Sequence, residues 1–265
     1  MFYHNIQNYL DLGFLQIRYY GLIYALGFII IYFMLKYQHK YFKISLKNHE
    51  LLDLIMYMIL GIVIGARLFY VFIYNPVYYL KNPLDIFAIW QGGLSFHGGL
   101  IGYIIGTLLY SIKFKKNFLG ITDATALPVA LSLSFGRIGN FINAELIGTI
   151  TNLPFCIKYK GIEGCRHPSQ IYEAIKNLII FGILFFTRKK KWKEGTYSAI
   201  FIIMYSILRF FIGFYRAPDN QLGYIFINLT MGQILNIIMF FLGIVFLIYL
   251  YKKEIVLNHK KKSKY

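Results

Sequence analysis

Apolar stretches long enough to cross a bilayer recur along the whole chain, where a soluble domain would break them with charge every few residues. The pattern predicts seven spans, at about Tyr19 to Tyr37, Leu51 to Tyr74, Ser95 to Ile112, Leu119 to Phe135, Ile171 to Thr187, Tyr197 to Tyr215 and Met231 to Tyr251. The fourth and fifth are the weakest, because Asp123, Pro128, Glu173 and Lys176 interrupt them. The expected fold is an all-α polytopic membrane protein, one integral membrane domain over residues 1–265, whose longest stretch outside a span runs from about Gly136 to Gln170. The first 18 residues lack the basic start of a secretory signal, so the first span is expected to be a retained helix. Glycines four apart, Gly61 and Gly65 on the second span and Gly98, Gly102 and Gly106 on the third, predict close helix contact.

Charge adds a direction to this pattern. The chain is 58% hydrophobic, yet 28 Lys and Arg against 11 Asp and Glu give a formal net charge of +17. On a soluble fold that excess would suggest nucleic acid, which requires an exposed basic face. Here the basic residues alternate between loops instead. Those after the first span (Lys36 to Lys47), the third (Lys113 to Lys116), the fifth (Arg188 to Lys193) and the seventh (Lys252 to Lys264) number 18. Basic residues are retained on the cytoplasmic side, so the N-terminus is expected outside, and residues 252–265 form a basic cytoplasmic tail in which Lys260 to Lys264 are expected to be solvated and mobile. Ten basic residues remain, six of them Arg, against a single Arg in the cytoplasmic set. Lys serves as a hydrated bulk charge, whereas the planar fork of Arg binds phosphate or carboxylate in a bidentate manner.

With that orientation, Arg67, His97, Arg137, Arg209 and Tyr20 fall at similar depth near the outer leaflet, with Arg216 just beyond. Any one of these arginines could snorkel to headgroups or pair with Glu145 or Glu173. Several together, with few acids beside them, suit an anionic ligand, and lipid phosphates are the anions at that depth. The densest stretch is Gly136-Arg137-Ile138-Gly139-Asn140-Phe141-Ile142-Asn143-Ala144-Glu145, continuing to Gly148. Gly139 allows close backbone approach, and Asn140 and Asn143 offer neutral hydrogen bonds to hydroxyls. No metal-ligand spacing occurs among the His and Cys residues. Two rival classes remain at this point, an anion transporter, which would place its charges near the midplane on broken helices, and a scaffold that only binds lipid or peptide.

These motifs resemble the prolipoprotein diacylglyceryl transferases of bacterial inner membranes. The resemblance runs through Tyr19-Tyr20-Gly21-Leu22, Gly65-Ala66-Arg67, the segment from Gly92 to Leu100 around His97, and the Gly136 to Gly148 block, which looks like the family signature. It continues through Arg166 to Glu173, Arg209, Phe214 to Asp219 and Met231 to Leu235, in order and over nearly the whole chain. It implies transfer of a diacylglyceryl group from phosphatidylglycerol to the lipobox cysteine thiol of a prolipoprotein signal peptide, with release of glycerol phosphate and no cofactor, metal or nucleic acid. The active site would face the outer leaflet of the inner membrane. Arg137 and Arg209 would hold the phosphate, with Arg67 and Arg216 as further lipid-binding residues; Asn140, Glu145 and Tyr20 would bind the glycerol headgroup; His97 would take the thiol proton or serve as a hydrogen-bonding anchor. Gly136, Gly139, Asn143 and Gly148 would shape the signature, on an outer-face loop region over residues 136–170.

One departure is plain in the sequence. Family members usually carry a Glu between the two arginines of the sixth span, where this chain has Gly213, leaving Arg209 less constrained or paired elsewhere, with Glu145 the suggested partner. His167 and Glu173 either line the site or anchor the loop, and Cys156 and Cys165 share that loop as a disulfide or as two free thiols. Trp90, Tyr78 and Tyr79 suit a membrane interface.

Overall fold

The structure, a computed structural model, describes residues 2–11, 16–42, 44–89, 92–218 and 223–262, with side chains for all of these except 10–11, 16–18, 20, 24 and 253–262. Trp90 and the side chain of Tyr20 therefore lie outside the described residues. Seven long helices form the body: α1 (Tyr19–Gln38), α2 (Asn48–Phe69), α4 (Phe96–Phe114), α5 (Phe118–Ile142), α6 (Ser169–Thr187), α7 (Thr196–Gly213) and α8 (Met231–Lys262). A short α3 (Pro76–Lys81) opens with Pro at its first position, where the missing N–H is no loss. Among the described residues six helices are long and apolar enough to cross a membrane. The exception is α4, whose apolar content is diluted by His97, four glycines and Lys113. The chain is thus a mostly helical, multi-pass membrane protein.

α1 and α5, distant in sequence, run antiparallel. Gln38 near the end of α1 donates to the Ala124 carbonyl near the start of α5 at 2.9 Å, and Ser132 further along α5 donates to the Gly27 carbonyl at 3.1 Å. α2 and α4 make the closest crossing. A Cβ added at Gly61, Gly65, Gly98 or Gly102 would strike the backbone of the facing helix, so the two axes approach as only glycine permits. The buried core, including Leu35, Leu54, Ile121, Leu127, Ile180 and Leu184, lies between α1, α2, α5 and α6. At the start of α7, Gly195 offers no side chain to cap the helix, and buried Asp123 of α5 accepts from Gly195 N, Ser198 N and Ser198 Oγ at 2.7–2.8 Å.

Two expectations about boundaries change. α5 continues through Pro128 to Ile142 and is capped only at Asn143, so Arg137, Gly139 and Asn140 are helical rather than part of a loop. The basic tail continues α8 to Lys262. Outside the helices, β1 (Phe2–His4) pairs in parallel with β4 (Ile157–Tyr159), and β2 (Tyr9–Asp11) pairs with β3 (Gln16–Arg18) as a hairpin. Cys156 and Cys165 form a disulfide that closes the loop carrying β4. His4 Nε2 reaches the Phe141 carbonyl at 2.8 Å, which ties the first strand to the end of α5.

Candidate active site

The ends of α5, α6 and α7 meet at one end of the bundle. Arg137 stands in the last two turns of α5, Glu173 and Lys176 in the first two of α6, and Arg209 near the end of α7. Glu173 and Lys176 are three residues apart, so both project from the same face of α6, and each is 2% exposed. Lys176 Nζ donates to Glu173 Oε2 at 2.8 Å, and Arg137 Nε lies 3.8 Å from the same oxygen. Arg209 Nε lies 2.8 Å from Oε1, a charge contact off the hydrogen-bond direction. Three basic side chains around one carboxylate give this cluster a formal charge of +2. An embedded excess of that sign is costly unless an anion completes it.

Tyr205, one turn before Arg209 and fully buried, lies beneath the cluster. Lys176 Nζ sits 3.6 Å from its ring centroid, and the ring stacks on Phe96 with centroids 4.5 Å apart. Phe96 precedes His97 at the start of α4, which brings His97 within electrostatic reach of Arg209. Among the described residues His97 Nε2 is buried and meets no hydrogen-bond partner. Its position follows from the α2–α4 crossing: Ser95 caps α4 by accepting from Gly98 N at 3.4 Å and donates its own N–H to the Ala66 carbonyl at 3.0 Å.

Arg67, at the end of α2, is placed differently from the other arginines. Its Nε, Nη1 and Nη2 donate to the carbonyls of Ile86, Gly92, Gly93, Asp85 and Ala88 at 2.5–3.2 Å, and the guanidinium lies 5.1 Å from the Tyr79 ring centroid. Gly92 and Gly93, with φ of 88° and 74°, turn the chain so that their carbonyls converge on it. The guanidinium is thus the core of the loop that leads to His97.

Beyond α5 the signature turns sharply. Arg137 Nη1 donates to Asn140 Oδ1 at 3.4 Å, and Asn140 is buried. Ala144 and Leu146 take positive φ, held by Gln170 Nε2 on the Glu145 carbonyl at 2.5 Å and Ser169 Oγ on the Leu146 carbonyl at 2.8 Å. The Glu145 residue is exposed and its carboxylate accepts from Asn143 Nδ2 at 2.7 Å. Gly148 passes between the carbonyls of His167 and Tyr215, where a Cβ would clash with both, and it bridges to Arg216. Gly136, by contrast, has open space where a Cβ would lie. His167 shares a 3.2 Å hydrogen bond with the Tyr172 hydroxyl and packs on Tyr215; burial lowers its pKa below the ordinary histidine value, which suits an anchor.

The suggested Arg209–Glu145 pairing is corrected, because the acid beside Arg209 is Glu173. The space beside Gly213 holds Gln233 of α8, whose Cγ would lie 2.6 Å from a Cβ there. Gln233 Oε1 accepts from Thr230 N and Thr230 Oγ1 at 3.0 and 3.1 Å, which fixes the start of α8 beside Arg209. Sequence reasoning passed over Lys176, Tyr205 and Gln233. The Glu173-x-x-Lys176 spacing inside an apolar span was a usable signal for the first of them, while Tyr205 and Gln233 resemble many other residues until the helices are packed.

Comparison with known proteins identifies the family. Residues 7–249 match the family model described as prolipoprotein diacylglyceryl transferase. The chain is 42% identical over 238 residues to a phosphatidylglycerol--prolipoprotein diacylglyceryl transferase of Bordetella parapertussis, covering 88% of this chain and 91% of that protein. It is 38% identical over 246 residues to the protein of the same name from Geobacter sulfurreducens (92% and 95% covered), and 42% identical over 238 residues to that of Rickettsia felis (88% and 92%). A match of this extent, over a helix bundle that gathers His97, Arg137 and Arg209 at one end, means that the chain belongs to the prolipoprotein diacylglyceryl transferase family.

Proposed function

We propose that the chain transfers the diacylglyceryl group of phosphatidylglycerol to the lipobox cysteine thiol of a prolipoprotein, at the charged end of the bundle. The observation that carries the residue assignment is the buried cluster in which Arg137, Lys176 and Arg209 outnumber Glu173. In the reaction the thiol sulfur forms a C–S bond to the terminal glyceryl carbon while the C–O bond to phosphate breaks. The electron pair of that bond leaves on glycerol phosphate, and the thiol proton passes to a base. Fixed cations that stabilise charge as it develops on the leaving group are the largest contribution such a site can make.

Arg137 and Arg209 bind that phosphate, and Asn140, held beside Arg137, meets the glycerol hydroxyls together with Glu145. His97 takes the thiol proton through Nε2, the buried atom that meets no partner among the described residues. Arg67 supports the loop before His97 through its five carbonyl contacts, so its contribution to lipid binding is indirect. Arg216, bridged to Gly148, keeps the signature turn beside the end of α7. All seven long helices cross the inner membrane, with the N-terminus outside, the C-terminus cytoplasmic and the cluster toward the outer leaflet, which accords with the distribution of Lys.

Purified protein incubated with phosphatidylglycerol and a lipobox peptide tests the assignment. A thioether-linked diacylglyceryl peptide is expected, and folded protein that yields none refutes it. Full activity in Arg137→Ala would remove Arg137 from the phosphate site, and near-normal transfer by His97→Gln would exclude His97 as an obligatory base.

A further inference from the structure

The phosphate assignment uses Arg137 and Arg209 and leaves Lys176 without a task, although its side chain is only 1% exposed within an apolar helix. A lysine so placed does not snorkel, and a charge retained there is by default functional. Glu173 Oε2 faces two cations, Lys176 at 2.8 Å and Arg137 at 3.8 Å. The Tyr205 ring, 3.6 Å below the ammonium, fixes Lys176 in front of that oxygen. Without Lys176 the same oxygen would accept the Arg137 guanidinium at contact distance, and both arginines would then share the one carboxylate, leaving a formal charge of +1 in place of +2.

We propose that Lys176 is a positioning residue for the lipid phosphate: by occupying Glu173 Oε2 it keeps Arg137 from closing onto the carboxylate and preserves the positive excess that the phosphate meets. This rests on the reading of Arg137 as a phosphate ligand. Lys176 itself touches no substrate. Its effect is confined to the lipid donor, because the peptide thiol carries no phosphate.

Initial rates of thioether formation by the full chain in mixed micelles, with each substrate varied at saturating levels of the other, test this. Coupling through a buried charge pair predicts that Lys176→Met raises KM for phosphatidylglycerol about tenfold and leaves KM for the peptide within about twofold. Lys176→Arg restores the lipid KM to within about threefold, because it returns a cation to Glu173. In a Glu173→Gln background Lys176→Met adds no further shift. If Lys176→Met does not fold, Lys176→Ala gives the same readout, since it likewise leaves Glu173 Oε2 without its lysine.

An unchanged lipid KM, additive effects in the Glu173→Gln background, or equal losses toward both substrates that Lys176→Arg does not rescue would each overturn the proposal. Lipid binding is read separately, as the rise in melting temperature with phosphatidylglycerol mole fraction. Wild-type protein that binds the lipid without turnover would refute the transferase reading, while the melting shift of Lys176→Met would still decide the role of Lys176.

Discussion

Glu173→Gln is the sharpest test of the charged cluster, since it removes one charge and almost no volume. The carboxylate lies 2.8 Å from Lys176, 2.8 Å from Arg209 and 3.8 Å from Arg137. At an effective dielectric constant of about 20, those separations correspond to gross attractions of about 6, 6 and 4 kcal/mol. Desolvation offsets most of this, and removing one member of a buried ionic set typically costs about 3–5 kcal/mol net, because the partners are left uncompensated. Three cations would then face one another around a neutral amide. For a domain of this size about 1 kcal/mol moves the melting temperature by about 2–4 °C, so Glu173→Gln should melt about 6–20 °C below wild type. Thermal denaturation in detergent, followed by the aromatic signal, measures it. Added phosphatidylglycerol should recover part of the loss, because its phosphate supplies the missing anion. Glu173→Asp should fall between the two. A melting temperature within about 2 °C of wild type, with no added response to lipid, would refute the claim that this carboxylate is the counter-ion of the cluster.

Three further outcomes are expected. Gly102→Leu should abolish accumulation of folded protein, because a side chain there meets the Gly61 backbone, whereas Gly136→Ala should be tolerated because the space beside it is open; yield after detergent extraction separates them. Asp123→Ala removes an acceptor that holds the start of α7, at about 1.5–3 kcal/mol per bond to a charged group, and should lower the melting temperature. Its KM values should stay unchanged, since Asp123 and Arg137 stand at opposite ends of α5, about 21 Å apart along the helix axis. Cys156 and Cys165 should resist alkylation until a reductant is added and then take up two adducts by mass spectrometry, since they are bonded to each other.

Much of the architecture was legible in the sequence, and the reason is the solvent. A bilayer requires about 20 apolar residues per crossing and satisfies every backbone group within the helix, so spans are written locally. The glycines of the second and third spans likewise announced their contact, because close approach of two helices requires the missing side chain at each crossing point. α4 is the exception that shows the limit. Its polar and glycine content weakens the apolar signal at the same residues that pack it onto α2 and bring His97 to the cluster.

The partners of the charges were settled only by packing. Nothing local tells Arg67 from Arg209: both are arginines near the end of an apolar helix. Yet Arg67 meets five carbonyls of its own loop while Arg209 meets Glu173 from another helix. The sequence places the charged residues at one depth by their position along each span. Which carboxylate they share, and that Lys176 stands between Glu173 and Tyr205, depends on how α5, α6 and α7 are rotated about their axes. That rotation is fixed by side-chain packing between helices distant in sequence, which an apolar pattern that runs nearly all around each helix does not encode.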